Sequence, residues 1–191
     1  MGLDQYLYRV SKIDDGLAKR IEGKNRRDLQ EYFILDSEGV ESDETQRMLK
    51  DLLPYLTKVK MLRTGIDIER AKKDNNVEMD YDWIGYHYSG DKRAGLWFIG
   101  NVGAEELVEC DVEQYEYEEP FEAYVCQKEE VYYWRKAYEV QDYVYDALKP
   151  TQVENCGYYL LSPDIINDMV ERGFIDYCFD DSGDILYHEW Y

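Results

Sequence analysis

The spacing of apolar residues changes twice along this chain, and no other feature of the sequence limits the fold as strongly. Residues 42–59 repeat apolar side chains at helical spacing, behind a serine suited to cap a helix. Residues 79–126 hold short runs typical of strands, separated by glycine-containing turns, and residues 127–149 return to helical spacing. The sequence therefore predicts an α+β fold, in which a long amphipathic helix over residues 127–149 packs on an antiparallel sheet or meander, with shorter helices elsewhere.

The length of 191 residues fits one domain, so we expect a single α+β domain over residues 1–191. Two polar stretches, residues 11–30 and 36–43, show no clear periodicity and are candidate mobile loops. A last short helix is expected after Ser162, followed by a terminal hairpin over residues 174–191.

Negative charge is concentrated in the second half of the chain. The formal net charge is −20, of which residues 1–100 contribute −2 and residues 101–191 contribute −18. Such a field repels nucleic acid and anionic membranes and attracts basic protein surfaces. Dispersed cysteines, no signal-peptide pattern and no apolar stretch of membrane-spanning length favour a cytoplasmic location and no membrane partner.

No motif for catalysis or cofactor binding is recognisable. The two histidines, His87 and His188, lie far apart, and no nucleotide-binding glycine pattern or nucleophile motif is present. We therefore predict a protein that is not an enzyme, with no cofactor and no metal site. The alternative is a small metal-dependent hydrolase that uses surface carboxylates, and only the abundance of acidic residues favours it.

Residues 105–122 form the most distinctive segment, with nine acidic residues and no Lys or Arg between Arg93 and Lys128. On a single strand Glu109 and Glu118 have opposite parity, so a bulge or a departure from the sheet near Gln114 is needed to align the acids. Aligned, they would imitate a line of phosphates flanked by tyrosines; the alternative is an acidic edge strand that prevents aggregation. The candidate partner-binding residues are Glu109, Asp111, Glu113, Tyr115, Glu116, Tyr117, Glu118, Glu119 and Glu122.

Two short stretches resemble a family of small uncharacterised bacteriophage and prophage proteins. They are the opening Met-Gly-Leu-Asp-Gln-Tyr-Leu and the motif Tyr-Trp-Arg-Lys-Ala at residues 133–137; residues 155–159 look similar as well. In that family the motif continues with Asn and His, where this chain has Tyr138 and Gln141. The resemblance implies a phage gene product in a bacterial cytoplasm, and it carries over no catalytic residues.

Charge, tyrosine content and resemblance together favour a binding protein over an enzyme. The leading hypothesis is a phage-encoded acidic inhibitor that occupies the basic surface of a host nucleic-acid-binding defence enzyme, as an anti-CRISPR or anti-restriction protein acting by nucleic-acid mimicry. It predicts no direct binding of nucleic acid. A second alternative, besides the hydrolase, is a structural phage protein that forms homo-oligomers through a tyrosine-rich sheet.

Overall fold

The computed structural model describes residues 2–149, 156–176 and 183–190, and in these ranges helices are combined with antiparallel sheets. The predicted α+β class with an antiparallel sheet is confirmed. The strands are β1 (Asp4–Ser11), β2 (Tyr32–Asp36), β3 (Thr57–Ile66), β4 (Trp83–Ser89), β5 (Lys92–Ile99), β6 (Glu105–Glu109), β7 (Glu116–Arg135), β8 (Tyr158–Leu160) and β9 (Asp184–Trp190). The α-helices are α1 (Asp15–Ile21), α2 (Ser37–Val40), α3 (Asp43–Met48), α4 (Ile68–Asp74), α5 (Tyr138–Ala147) and α6 (Pro163–Glu171).

Contacts divide the chain into two compact units. Unit 1 comprises residues 1–61 and 120–191, and unit 2 comprises residues 62–119. One sheet has the order β2-β7-β1-β9-β8, with β3 also paired to β7, and the other is the meander β4-β5-β6. The division falls within β3 and β7, so each of these strands supplies residues to both units.

Both faces of the unit 1 sheet are packed with apolar side chains. Leu7 and Tyr187 point to the face that α5 and α6 cover, where they meet Val144 and Met169. On the opposite face, residues of β1, β7 and β9 join Val40 of α2 and residues that follow α3. Because the two faces receive alternate residues of the same strands, a shift of one residue in register would exchange both cores.

A buried carboxylate, which has no cationic partner among the described residues, joins β9 to α5. The side chain of Glu189 is fully buried and accepts hydrogen bonds from Tyr187 Oη at 2.8 Å, from Gln141 Nε2 at 3.1 Å and from the hydroxyl of Tyr145. Gln5 Nε2 of β1 donates to Tyr187 Oη at 2.9 Å. Burial raises the pKa of Tyr187, which keeps its hydroxyl protonated as the donor. The network therefore fixes α5 against two strands through directional bonds.

Unit 2 has its own core, built on the central strand of the meander. Leu96 and Phe98 of β5 are fully buried and pack with Ala71 of α4 and with Val112 and Tyr115. The last two lie in a single 3-10 turn, Val112–Tyr115, between β6 and β7. Of the predicted meander over residues 79–126, strands β4, β5 and β6 are confirmed, whereas the chain leaves this sheet before Gln114 and residues 116–126 belong to β7 of the other sheet.

The predicted long helix over residues 127–149 is wrong in its first half. Residues 127–135 belong to β7, and the helix is only α5, Tyr138–Ala147. In β7 these residues form a ladder with β1, which satisfies the backbone groups on one side of the strand. Their β-branched and aromatic side chains favour that choice. Lys136, with a φ of 58°, ends the strand.

The predicted helix over residues 42–59 is also shorter than expected. Ser42 does cap a helix, but α3 ends at Met48, and β3 begins at Thr57. Pro54 lies in a 3-10 turn between them, because its ring does not fit a helix interior.

The stretches predicted as loops contain short capped helices. Within residues 11–30, Asp14 caps α1 and Asn25 caps a 3-10 turn; within residues 36–43, Asp36 caps α2. The short helix capped by Ser162 is confirmed as α6. Of the predicted terminal hairpin, β9 is confirmed, whereas residues 177–182 lie outside the described ranges. No helix in the described ranges has the length and apolar character needed to cross a membrane.

A lysine of unit 1 is enclosed by aromatic rings. Lys128 Nζ lies 3.7 Å from the ring centroid of Phe33, 4.1 Å from that of Tyr8 and 5.4 Å from that of Tyr158. The π faces attract the ammonium group, but burial dominates and lowers the pKa of Lys128 to about 8. The ring of His188 stacks on that of Tyr158, with the centroids 4.2 Å apart. Burial lowers the pKa of His188 to about 4.

The buried lysine makes folding stability depend on pH in a defined window. Between a folded pKa of about 8 and the ordinary lysine pKa of 10.5, the unfolded chain holds more protons on Lys128 than the folded chain, so rising pH favours folding. Relative to Lys128→Met, we expect the wild type to gain roughly 2–3 kcal/mol from pH 7 to pH 10. Denaturant unfolding of both proteins at each pH measures this, and an unchanged difference would contradict it.

Candidate functional site

One face of the meander carries aromatic and acidic side chains together. Since Leu96 and Phe98 enter the core of unit 2, Trp97 and Ile99 lie on the opposite face of β5. Three rows of residues cross this face in register: Trp83 with Ile99 and Glu105; Gly85 with Trp97 and Leu107; His87 with Gly95 and Glu109. These nine residues are called the acidic aromatic face below.

The two indoles flank Gly85. A Cβ atom at Gly85 would lie 3.3 Å from Trp83 Cζ3 and 3.8 Å from Trp97 Cβ, so both side chains border the space that the glycine leaves open. Trp83 is 57% exposed, and Trp97 is half-buried. The rings of His87 and Trp97 are nearly perpendicular, with their centroids 5.9 Å apart. The centre of the face is therefore flat and aromatic, and solvent reaches it.

The predicted acidic segment separates into a paired and an unpaired set. Glu116 forms an ion pair with Arg93, Glu119 with Arg63 at 2.6 Å and Glu122 with Lys58 at 2.6 Å. All three bases come from the first half of the chain, which has almost no net charge of its own. The bond to Glu122 raises the pKa of Lys58, so the lysine stays charged at neutral pH.

The unpaired set lies nearer the acidic aromatic face. Glu105 and Glu109 belong to the face, and Asp111 and Glu113 follow it on the exposed side of the 3-10 turn. Within the ranges that the structure describes, their carboxylates take part in no hydrogen bond or ion pair. These four exposed carboxylates are therefore available to a partner.

The remaining predicted site residues do not join one surface. Tyr115 is 3% exposed, and its hydroxyl accepts a hydrogen bond from Asn75 Nδ2 at 3.1 Å. Tyr117 is 46% exposed, with its ring against Gly65, and Glu118 is exposed beside it. Tyr115 is thus a core residue of unit 2, and the structure does not form the expected row of carboxylates flanked by both tyrosines.

Sequence reasoning missed the tryptophans. In residues 95–99, apolar side chains occupy both alternate sets of positions, which predicts a strand with apolar side chains on both faces of its sheet. That pattern was the available signal for Trp97. No sequence pattern could predict that Trp83 is exposed, because its exposure depends on which residues pack against β4.

Comparisons with protein-family models, with curated proteins and with solved structures find no match for this chain. The resemblance to phage proteins therefore stays a prediction. Among the described residues, no three His, Cys, Asp or Glu side chains are grouped closely enough to hold a metal ion.

The geometry of the face depends on Gly95. A Cβ atom there would lie 2.2 Å from the carbonyl oxygen of Val108, a backbone atom of the neighbouring strand. We expect Gly95→Ala to push β6 away from β5 and to destabilise the fold by about 1–3 kcal/mol, as other overpacked sites do. Gly39→Ala is the control, since nothing lies within 4 Å of that position. Thermal unfolding compares the two, and equal melting temperatures would contradict the expectation.

Proposed function

We propose that the protein is an acidic binding protein that uses the acidic aromatic face to occupy a basic surface of another protein. The observation that carries the proposal is the presence of Glu105 and Glu109, both without an ion-pair partner among the described residues, on the same sheet face as Trp83 and Trp97. Carboxylates beside indoles suit an arginine side chain, whose guanidinium group stacks on an aromatic ring while it donates to an acid.

Charge supports a protein partner over a nucleic acid. The half of the chain from residue 101 carries −18, which repels phosphates and accelerates association with a basic surface. Surfaces rich in Arg and Lys are characteristic of proteins that bind nucleic acids. Together with the resemblance to phage proteins, this favours a host nucleic-acid-binding defence enzyme, of CRISPR or restriction type, as the target.

The first experiment distinguishes the contribution of the acidic aromatic face to binding from that of the net charge. Glu105→Lys with Glu109→Lys changes the net charge by +4 on the face, and Glu139→Lys with Asp142→Lys changes it equally on exposed positions of α5. The probes are octa-arginine and octa-lysine peptides, with binding measured by calorimetry at low and raised salt. We expect the face variant to lose about tenfold or more in affinity for octa-arginine, and the control variant to lose much less.

Trp83→Ala tests the aromatic part of the face. Because its indole is 57% exposed, we expect the truncation to leave the fold intact. It should reduce affinity for octa-arginine more than for octa-lysine, since arginine stacks better on indole. Equal losses for both peptides, or equal binding by the two charge variants, would show that this face is not the site.

Capture from a bacterial lysate identifies the target. Tagged wild type, the face variant and the α5 control are each eluted with a salt gradient. We expect one nucleic-acid-binding protein to be retained by the wild type and the control and lost by the face variant. Adding the wild type should then prevent that protein from shifting its DNA or RNA in a gel. A retained protein that still binds its nucleic acid would contradict the inhibitory role.

A further inference from the structure

The two edges of the meander differ sharply in charge. β6, at one edge, reads Glu-Glu-Leu-Val-Glu, whereas β4, at the other, reads Trp-Ile-Gly-Tyr-His-Tyr-Ser and contains no acidic or basic residue apart from its histidine. Natural proteins protect open strand edges with charges, proline or very short strands. Unlike β6, β4 carries no acidic residue, lysine, arginine or proline along its edge, although the chain has a net charge of −20; its one irregularity is the register shift against β5 between His87 and Tyr88.

The regular part of this edge is short. A bulge lies between His87 and Tyr88, so that the evenly paired segment is residues 83–87, centred on Gly85. Among the described residues, β4 pairs with β5 alone. The backbone groups on its outer side are therefore placed to accept one more antiparallel strand of about five residues.

We propose that a second copy of this chain pairs with β4, antiparallel about a two-fold axis at Gly85, so that two three-stranded sheets become one of six strands. This register sets Trp83 of each copy opposite His87 of the other, and Ile84 opposite Tyr86. Aromatic and β-branched pairs of this kind stabilise antiparallel sheets. An identical strand supplies its own complement, as a closed two-fold interface requires.

The charges that flank β4 contribute little to this pairing. The residues leading into β4 include Glu78, Asp80 and Asp82, and the turn that ends β4 is followed by Lys92 and by Arg93, which is paired with Glu116. Antiparallel pairing about Gly85 places Asp80 of one copy level with Gly90 of the other, beside Lys92. Asp91 offsets part of that attraction, so the pairing rests on the uncharged strand itself, and the Glu-rich strands β6 stay at the two far edges.

Pairing would also enlarge the acidic aromatic face. The outer faces of the two meanders become continuous, with four tryptophans toward the middle and the carboxylates of Glu105 and Glu109 toward each edge. The dimer does not depend on the proposed function, since it uses the edge of β4 and not the binding of a basic partner.

The oligomeric state is the first test. Sedimentation velocity of the wild type, from about 1 µM to about 300 µM, should show a monomer–dimer equilibrium in the range expected of modest interfaces. Tyr86→Lys places a charge against Ile84 of the second copy and should raise the dissociation constant about tenfold or more. Tyr138→Lys makes the same change at an exposed tyrosine of α5 and should leave it unchanged.

The register is tested by cross-linking. In the proposed pair the two Gly85 residues face each other across the axis, at a Cα separation that a disulfide accepts. Gly85→Cys should give a covalent dimer on mild oxidation, whereas Ser89→Cys, with its copies about 26 Å apart, should react no more than the wild type. A wild type that is monomeric at every concentration, or a dimer that Tyr86→Lys does not weaken, or equal cross-linking through both cysteines, overturns the proposal.

Discussion

The structure depends first on β7, a strand of 20 residues that pairs with β1, β2 and β3. Its length places it in both units, and its pairing with β1 fixes the register on which the alternating cores of unit 1 depend. Over residues 127–135 the ladder with β1 satisfies the backbone groups on one side of β7, and this long-range pairing decides the conformation there, not the local periodicity. This explains why helical spacing over residues 127–135 gives a misleading prediction. Once β7 is placed, α5 can only begin after the left-handed residue Lys136.

The fold of β7 also determines which acidic residues of the chain form ion pairs. The part of β7 nearest its start carries Glu116, Glu119 and Glu122, and these acids meet bases from the first half of the chain. The pairs at Glu119 and Glu122 are solvent-exposed and add little to stability, on the order of 0–1 kcal/mol each, whereas the pair between Glu116 and Arg93 is partly buried. Their consequence here is selective: they neutralise part of the acidic segment and leave the carboxylates around β6 without partners among the described residues. The acidic segment thus has one part whose carboxylates form ion pairs within the protein and another whose carboxylates are exposed to solvent.

The meander of unit 2 combines two surfaces with different chemistry. Its outer face offers indoles and carboxylates, which suit arginine, while its β4 edge offers unpaired backbone groups without charge, which suit another neutral strand. The inner face packs into the core around Leu96 and Phe98. In unit 1, by contrast, helices pack against both faces of the sheet, and the buried Glu189 accepts from three donors and positions α5. The proposed binding face and the proposed dimer edge therefore both belong to unit 2.

Local patterns and composition are enough to predict the α+β class, the caps at Ser42 and Ser162, the turns of the meander and the acidic second half, because each depends on neighbours within a few positions or on composition alone. Long-range contacts settle that residues 127–135 form a strand, that Tyr115 is buried, and which acids are paired. Those outcomes depend on groups far apart in the chain: Arg63 lies 56 positions before Glu119. Local patterns specify what an element prefers, but burial and ion pairing are set by whichever distant residues the sheet brings together.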